Sequence, residues 1–158
     1  MTSLQSQMLQ LHKSLARKNI PHAFGGALAL AWCTQQARGT IDIDINIFIS
    51  THEIELLISA LPKAIEAPQS NLKDLQRDGQ TRLMWDDTPV DIFLNTTTFH
   101  TEAAQRIRYE TFVGVELPFL SCRDLAVFKT FFNRTRDWAD LEDMHAAGTL
   151  DVRAVTTE

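Results

Sequence analysis

The stretch TIDIDINIFIS, residues 40–50, decides how the rest of the chain is read. Isoleucine stands at 41, 43, 45, 47 and 49 and alternates with Asp42, Asp44, Asn46 and Phe48. Successive side chains of a strand point to opposite faces, so this period of two spells a strand with one greasy face. The isoleucines claim the core. Asp42 and Asp44 then share the other face, roughly 7 Å apart along the pleat. Aspartate is disfavoured in strands. Two of them in so apolar a segment call for a purpose, and a hard divalent cation held by oxygen ligands supplies one. A sheet with one solvated polar face accounts for the same alternation.

Upstream of this strand, PHAF (21–24) is a short strand candidate and Gly25-Gly26 follows at once. ALALAWCTQQ (27–36) then reads as a buried helix, rich in Ala and Leu. Glycine lets backbone approach a ligand closely, and the first N–H groups of the helix face an anion. A bare turn is the competing reading. Residues 2–18 predict a helix on Leu4, Met8, Leu11 and Leu15, stopped by Pro21.

Downstream, Thr51 is the expected N-cap of a helix over 52–61, with Glu53 and Glu55 in its first turn. Residues 62–79 give no clear pattern. QTRLMW (80–85) and VDIFLN (90–95) predict a hairpin around Asp86-Asp87-Thr88-Pro89. On its second strand Val90, Ile92 and Leu94 share one face, and Asp91 and Phe93 the other. Asp91 could complete a two-metal site or accept the proton of an attacking hydroxyl. Residues 98–108 predict a helix, and 109–121 one or two short strands around Gly114. Ser121 and Asp124 open a helix over 122–134 in the manner of a capping box, with Leu125, Phe128, Phe131 and Phe132 as its apolar face. A last helix covers 136–147 and ends at Gly148, leaving 149–158 as a frayed polar tail. This order favours an α+β domain with a small mixed β-sheet flanked by helices.

Composition narrows the classes. The chain has 158 residues, enough for a single domain over 1–158, with a core at about 20–120 and a C-terminal helical part at about 121–148. Fifteen basic residues against 20 acidic ones give a net charge of -5, which argues against a strongly basic, non-specific nucleic-acid binder. One local basic patch would still serve an enzyme that meets nucleic acid. No window of about 18 uncharged apolar residues exists, so no transmembrane helix and no membrane partner is expected. The polar N-terminus lacks the apolar core of a secretory signal, which predicts a cytoplasmic protein. Cys33 and Cys122 are too few for a disulfide framework or a closed zinc site, and both are expected as buried small hydrophobes. The histidines at 12, 22, 52, 100 and 145 show no metal-ligating spacing. Arg106 and Arg108 could touch nucleic acid, and solvated charges at a helix end explain them as well.

FGGALALAW, then RGTIDIDI, then PVDIFL resembles the nucleotidyltransferase superfamily that includes DNA polymerase beta. That pattern is a Gly-Gly or Gly-Ser turn, an Asp-x-Asp strand and a later strand with a third Asp. The local form looks most like the AbiE-type nucleotidyltransferase toxins of bacterial toxin–antitoxin systems. Their C-terminal helices carry a Lys followed by Arg and Asp residues, and FKTFFNRTRDWADLEDM supplies Lys129, Arg134, Arg136, Asp137 and Asp140. The resemblance covers about 20–145, although the chain is short for that group.

The resemblance implies a minimal nucleotidyltransferase fold and NMP transfer from an NTP to an acceptor hydroxyl. Asp42, Asp44 and Asp91 would be the catalytic, metal-binding carboxylates, with two Mg²⁺ ions, or Mn²⁺ in their place. Gly25, Gly26, Arg38, Thr40 and Lys129 would bind the nucleotide. The acceptor would be RNA such as a tRNA 3′ end, a protein, or a small molecule such as an aminoglycoside, and a cognate antitoxin would be a partner. Solvated ion pairs on a surface helix are the competing reading of Arg134, Arg136, Asp137 and Asp140. A snorkelling side chain is that of Lys129. A non-catalytic binding or regulatory module that keeps this fold is the rival reading of the whole chain.

Overall fold

A computed structural model describes residues 3–35, 42–132 and 134–157. In chain order the elements are α1 (Ser3–Arg17), β1 (His22–Phe24), α2 (Gly26–Thr34), β2 (Ile43–Ser50), α3 (Ile54–Ala60), β3 (Ile65–Glu66), α4 (Gln69–Asp78), β4 (Gln80–Trp85) and β5 (Thr88–Asn95). Then follow α5 (Thr98–Ala104), β6 (Arg108–Phe112), β7 (Val115–Phe119), α6 (Cys122–Phe132), α7 (Thr135–Ala146) and α8 (Val152–Thr157). The expected α+β architecture with a mixed sheet is the one observed, in seven strands ordered β3-β4-β5-β2-β1-β7-β6.

The isoleucine strand β2 lies in the middle of that sheet. It runs antiparallel to β1 and parallel to β5, with Asp44 opposite Asp91. A central strand needs cover on both sides, and β2 has it: Ile43, Ile45 and Ile47 are buried on one face and Asn46 and Phe48 on the other. The second face is therefore not a solvated polar one. The Phe93 ring, which shares that face through β5, packs 5.7 Å from Phe132 of α6. The hairpin forms as predicted, β4 against β5, and places Arg82 opposite Asp91.

Several local readings change. Thr51 does not cap α3; Glu53 takes that position, and its Oε1 accepts from the Ser50 backbone N–H and hydroxyl. Residues 62–79 hold the two-residue strand β3 and the helix α4. Only Leu75 of α4 is buried, and all its residues but Leu72 and Leu75 are polar. Asn71 ties α4 to β4 by donating to the Thr81 hydroxyl at 2.9 Å and the Arg82 carbonyl at 3.0 Å. The expected frayed tail contains α8 instead. Asp151 Oδ1 accepts from the Ala154 N–H at 3.1 Å, and Ala154 is buried.

Cys33 and Cys122 form a disulfide, which corrects the reading of them as separate small hydrophobes. They lie 89 residues apart in sequence, and only the packing of α2 on α6 brings their Cα atoms to 5.6 Å. Arg106 and Arg108 are likewise not loose solvated charges. Arg106 grips the buried Asp124 carboxylate at 2.8 and 3.1 Å, and Arg108 pairs with Glu110. Asp124 also takes a 2.7 Å hydrogen bond from the Ser121 hydroxyl, so the capping-box pair is present. Its helix buries Leu125 and Phe128 as expected, whereas Phe131 and Phe132 are exposed. Near the N-terminus, His12 and His22 share a 2.9 Å hydrogen bond, and His22 Nδ1 meets the Ile20 carbonyl at 2.8 Å.

Candidate active site

One face of the β4–β5–β2 portion of the sheet opens into a cleft of about 670 Å³. Asp42 sits just before β2, Asp44 is on β2 and Asp91 faces it on β5; all three line the cleft. The reason is register. Asp44 and Asp91 are Cα partners on parallel neighbours, so their side chains leave the sheet on the same side. Burial, first of all, pushes the Asp44 carboxyl up to about 7. The charge of Asp91, a hydrogen bond with it and the charge of Asp42 add to that, and Lys129 opposes it.

Arg82 answers this crowding. Its guanidinium forks onto Asp91 at 2.7 and 2.9 Å and reaches Asp42 Oδ2 at 3.2 Å. Such a bidentate pair is short and directional. Sequence reasoning passed over Arg82, although the hairpin register, counted from the turn, would have set it beside Asp91.

The glycine pair closes the cleft from the β1 side. The Gly25 N–H donates to the Asp44 carbonyl at 2.9 Å, which pins the turn to the carboxylate strand. Gly26 has φ +56°, and a Cβ built there would lie 1.8 Å from Asp44 Oδ2. No side chain fits between the start of α2 and that carboxylate, so backbone N–H groups and carboxylate face the same small space. An anion at the helix start and a cation at the carboxylates would be neighbours there.

Helices α6 and α7 form the remaining wall. Lys129 is buried, with Nζ 2.9 Å from Asp140 and 3.3 Å from Asp137. Arg134 donates to Asp137 at 2.6 and 3.1 Å. Burial alone would raise Asp137, yet hydrogen bonds from Arg134 and the charges of Lys129 and Arg134 hold it below the usual carboxylate range. Asp137 and Asp140 are buried, so this is an internal ion cluster and not the solvated helix surface of the competing reading. Lys129, Arg134, Arg136 and Asp140 all line the cleft. Arg38 and Thr40 lie outside the described residues.

Among the described residues, no three His, Cys, Asp or Glu side chains are drawn together as a ready metal site. The donor chemistry of Asp42, Asp44 and Asp91 nevertheless suits a hard divalent cation. They offer only carboxylate oxygens, they crowd one another, and their present counter-charge is a side chain that can turn away.

No protein-family profile and no curated protein matches the sequence. Solved structures do match. The antibiotic-resistance factor ANT(2'')-Ia, in complex with adenylyl-2''-tobramycin, aligns over 99% of this chain and 94% of its own at 12% identity and a TM-score of 0.68. The lincosamide antibiotic adenylyltransferase LnuA, with lincomycin bound, aligns over 93% and 98% at 12% identity and a TM-score of 0.59. An antigenic nucleotidyltransferase-like protein from Paracoccidioides brasiliensis aligns over 91% and 74% at 16% identity and a TM-score of 0.56. The chain has the fold of nucleotidyltransferases, and the three carboxylates and the glycine turn meet in its main cleft. Among the described residues no helix is long and apolar enough to cross a membrane.

Proposed function

We propose that this chain, working as one domain, is a nucleotidyltransferase that moves a nucleoside monophosphate from an NTP to an acceptor hydroxyl. The observation that carries the reading is the apposition of Gly26 on the Asp44 carboxylate beside Asp91, in a cleft of this fold. Asp42, Asp44 and Asp91 would hold Mg²⁺, or Mn²⁺, which when bound supplies positive charge to the α-phosphate and the departing pyrophosphate. Gly26 would present its backbone N–H to the triphosphate, and Gly25, whose own N–H is held by the Asp44 carbonyl, would shape the turn around it. Asp91 takes the proton of the acceptor hydroxyl at a carboxylate oxygen once Arg82 releases it. The acceptor oxygen then bonds to the α-phosphorus as the α–β phosphoanhydride bond breaks, and pyrophosphate leaves. Lys129, held by Asp137 and Asp140, keeps positive charge on the nucleotide side of the cleft.

The neighbours whose names state an acceptor are antibiotic adenylyltransferases, which favours a small hydroxylated molecule here. An RNA or protein acceptor, and a role as a toxin with a cognate antitoxin, rest on the AbiE-type sequence resemblance. One experiment sorts these. Purified protein is incubated with Mg²⁺, each α-labelled NTP and, in separate arms, total RNA, cell protein, an aminoglycoside and a lincosamide. Label should move to one acceptor class with wild type and to none with Asp44→Asn. Absence of transfer in every arm, with no NTP-dependent rise in melting temperature at millimolar Mg²⁺, would make the non-catalytic module the correct reading.

A further inference from the structure

The sheet ends in β6, and among the described residues that strand is paired on one side only, with β7. Which backbone groups it leaves outward follows from the turn. Val113 and Gly114 form a two-residue loop with φ +50° and +76°, flanked by the pair Phe112–Val115. The pair that flanks such a loop exchanges both backbone hydrogen bonds, and the pattern then alternates along the ladder. Phe112, Glu110 and Arg108 therefore turn their N–H and C=O groups to β7, and Tyr109 and Thr111 turn theirs away. Opposite Tyr109 in β7 stands Pro118, which has no N–H to give and so suits that alternation. Side chains alternate too. Arg108 and Glu110 share the half-buried face, where Arg108 Nε donates to Glu110 Oε1 at 2.9 Å. Tyr109 stands on the other face, 59% exposed. An edge of this kind is a template for another strand.

We propose that β6 pairs antiparallel with β6 of a second copy of this chain, on a two-fold axis through Tyr109. Outward groups must meet outward groups, which allows axes through Tyr109, Glu110 or Thr111 in the middle of the strand. An axis at Glu110 sets two carboxylates directly opposite each other, which is destabilising. One at Thr111 sets Glu110 against Phe112 and Arg108 against Gly114, and matches no charge. The axis at Tyr109 sets Arg108 opposite Glu110 of the partner subunit, and Glu110 opposite the partner's Arg108. These are non-hydrogen-bonded pairs, where side chains approach closest. With the ion pair inside each chain they close a ring of alternating charges. The two Tyr109 residues exchange both backbone hydrogen bonds and cover one another's exposed rings. A strand this short gives a small interface, so the dimer is a reversible one, with a dissociation constant on the order of 10–100 μM. Strands β2, β1 and β7 separate β6 from β5, so both clefts stay open and the proposal stands apart from the nucleotidyltransferase reading.

Sedimentation velocity on the whole chain over about 5–500 μM tests this. Wild type should pass from monomer to dimer across that range. Tyr109→Pro removes the N–H that the axis uses twice and none that β7 uses. It should stay monomeric at the top of the range with its fold kept by circular dichroism. Glu110→Arg sets like charges across the axis and should weaken the dimer about tenfold or more; adding Arg108→Glu should restore it to within about threefold. Cross-linking reads the register. Cys33 and Cys122 are joined to each other, so Tyr109→Cys adds a single free thiol. Across the axis its Cα atoms lie about 5.5 Å apart, within disulfide reach, and diamide should give a covalent dimer. Thr111→Cys, opposite the partner's Ile107, should give none. The cysteine variants decide the matter should Tyr109→Pro fail to fold. A wild type still monomeric at about 500 μM, a dimer that survives Tyr109→Pro, a charge swap that restores nothing, or equal cross-linking of the two cysteine variants would overturn the proposal.

Discussion

At the scale of single residues, the site is a problem in crowded negative charge. Asp44 titrates near 7 in the folded chain, against an ordinary value of 3.8. Between those values the folded state holds a proton that the unfolded state has lost, so raising the pH through that window weakens the fold. Asp44→Asn removes the cost. In the presence of a chelator the variant should be more stable than wild type by about 1–2 kcal/mol at pH 8, with little difference near pH 4. Melting curves at the two pH values decide it, and a wild type that is the more stable at pH 8 would show that Arg82 already offsets the charge. Arg82 itself is held to both Asp91 and Asp42. Arg82→Ala should therefore lower the melting temperature of the metal-free protein at pH 8, and the loss should shrink in high salt, which screens the uncompensated carboxylates.

Between elements, buried polar groups do the joining. Lys129 of α6 meets Asp137 and Asp140 of α7, all three buried. Removing one partner of such a cluster leaves charge uncompensated in the interior. Lys129→Met should cost about 3 kcal/mol or more in a urea titration, besides any loss of nucleotide binding. A variant as stable as wild type would mean that Arg134 alone satisfies Asp137 and that water reaches Asp140. Where α1 meets β1, burial pushes His22 down to about 4 from 6.5. The unfolded chain takes up a proton between these values and the folded chain does not. The contribution of His22 is thus complete above about 6.5 and fades as the pH falls toward 4. Wild type should lose about 1–3 kcal/mol more than His22→Gln over that range, read from urea midpoints at each pH. The comparison with the variant matters because Asp44 works in the opposite direction over part of the same window.

Across the whole molecule, the disulfide joins the helix behind the glycine turn to the helix that carries Lys129. A cross-link over so long a loop restricts the unfolded chain, and Cys33→Ala should cost about 2–5 kcal/mol under oxidising conditions. Reduced wild type should melt close to that variant; if it melts like the oxidised protein, the cross-link carries no stability. The β2 strand, the hairpin and the helices α1, α6 and α7 were legible in the sequence because each carries an apolar period that matches its own geometry, and α2 was legible through its Ala- and Leu-rich composition. Asp42, Asp44, Asp91 and the Gly25-Gly26 turn stood out for a similar local reason, being polar or flexible residues set in apolar runs. Helix α4 and the terminal helix α8 were not legible, since α4 has only Leu72 and Leu75 to mark its face and α8 is only six residues long. Cys33 with Cys122, Arg82 on Asp91, and Lys129 among its aspartates were beyond local reading altogether. Those pairings depend on which strands are neighbours and on which helices cover the sheet. The sequence by itself determined the strand, its carboxylates and the turn, because side-chain alternation and backbone permissiveness act over a few residues. Only the tertiary structure decided that the aspartate face of β2 would be roofed by α6 and the carboxylates tied to Arg82, because strand register and helix packing act between residues far apart in the chain.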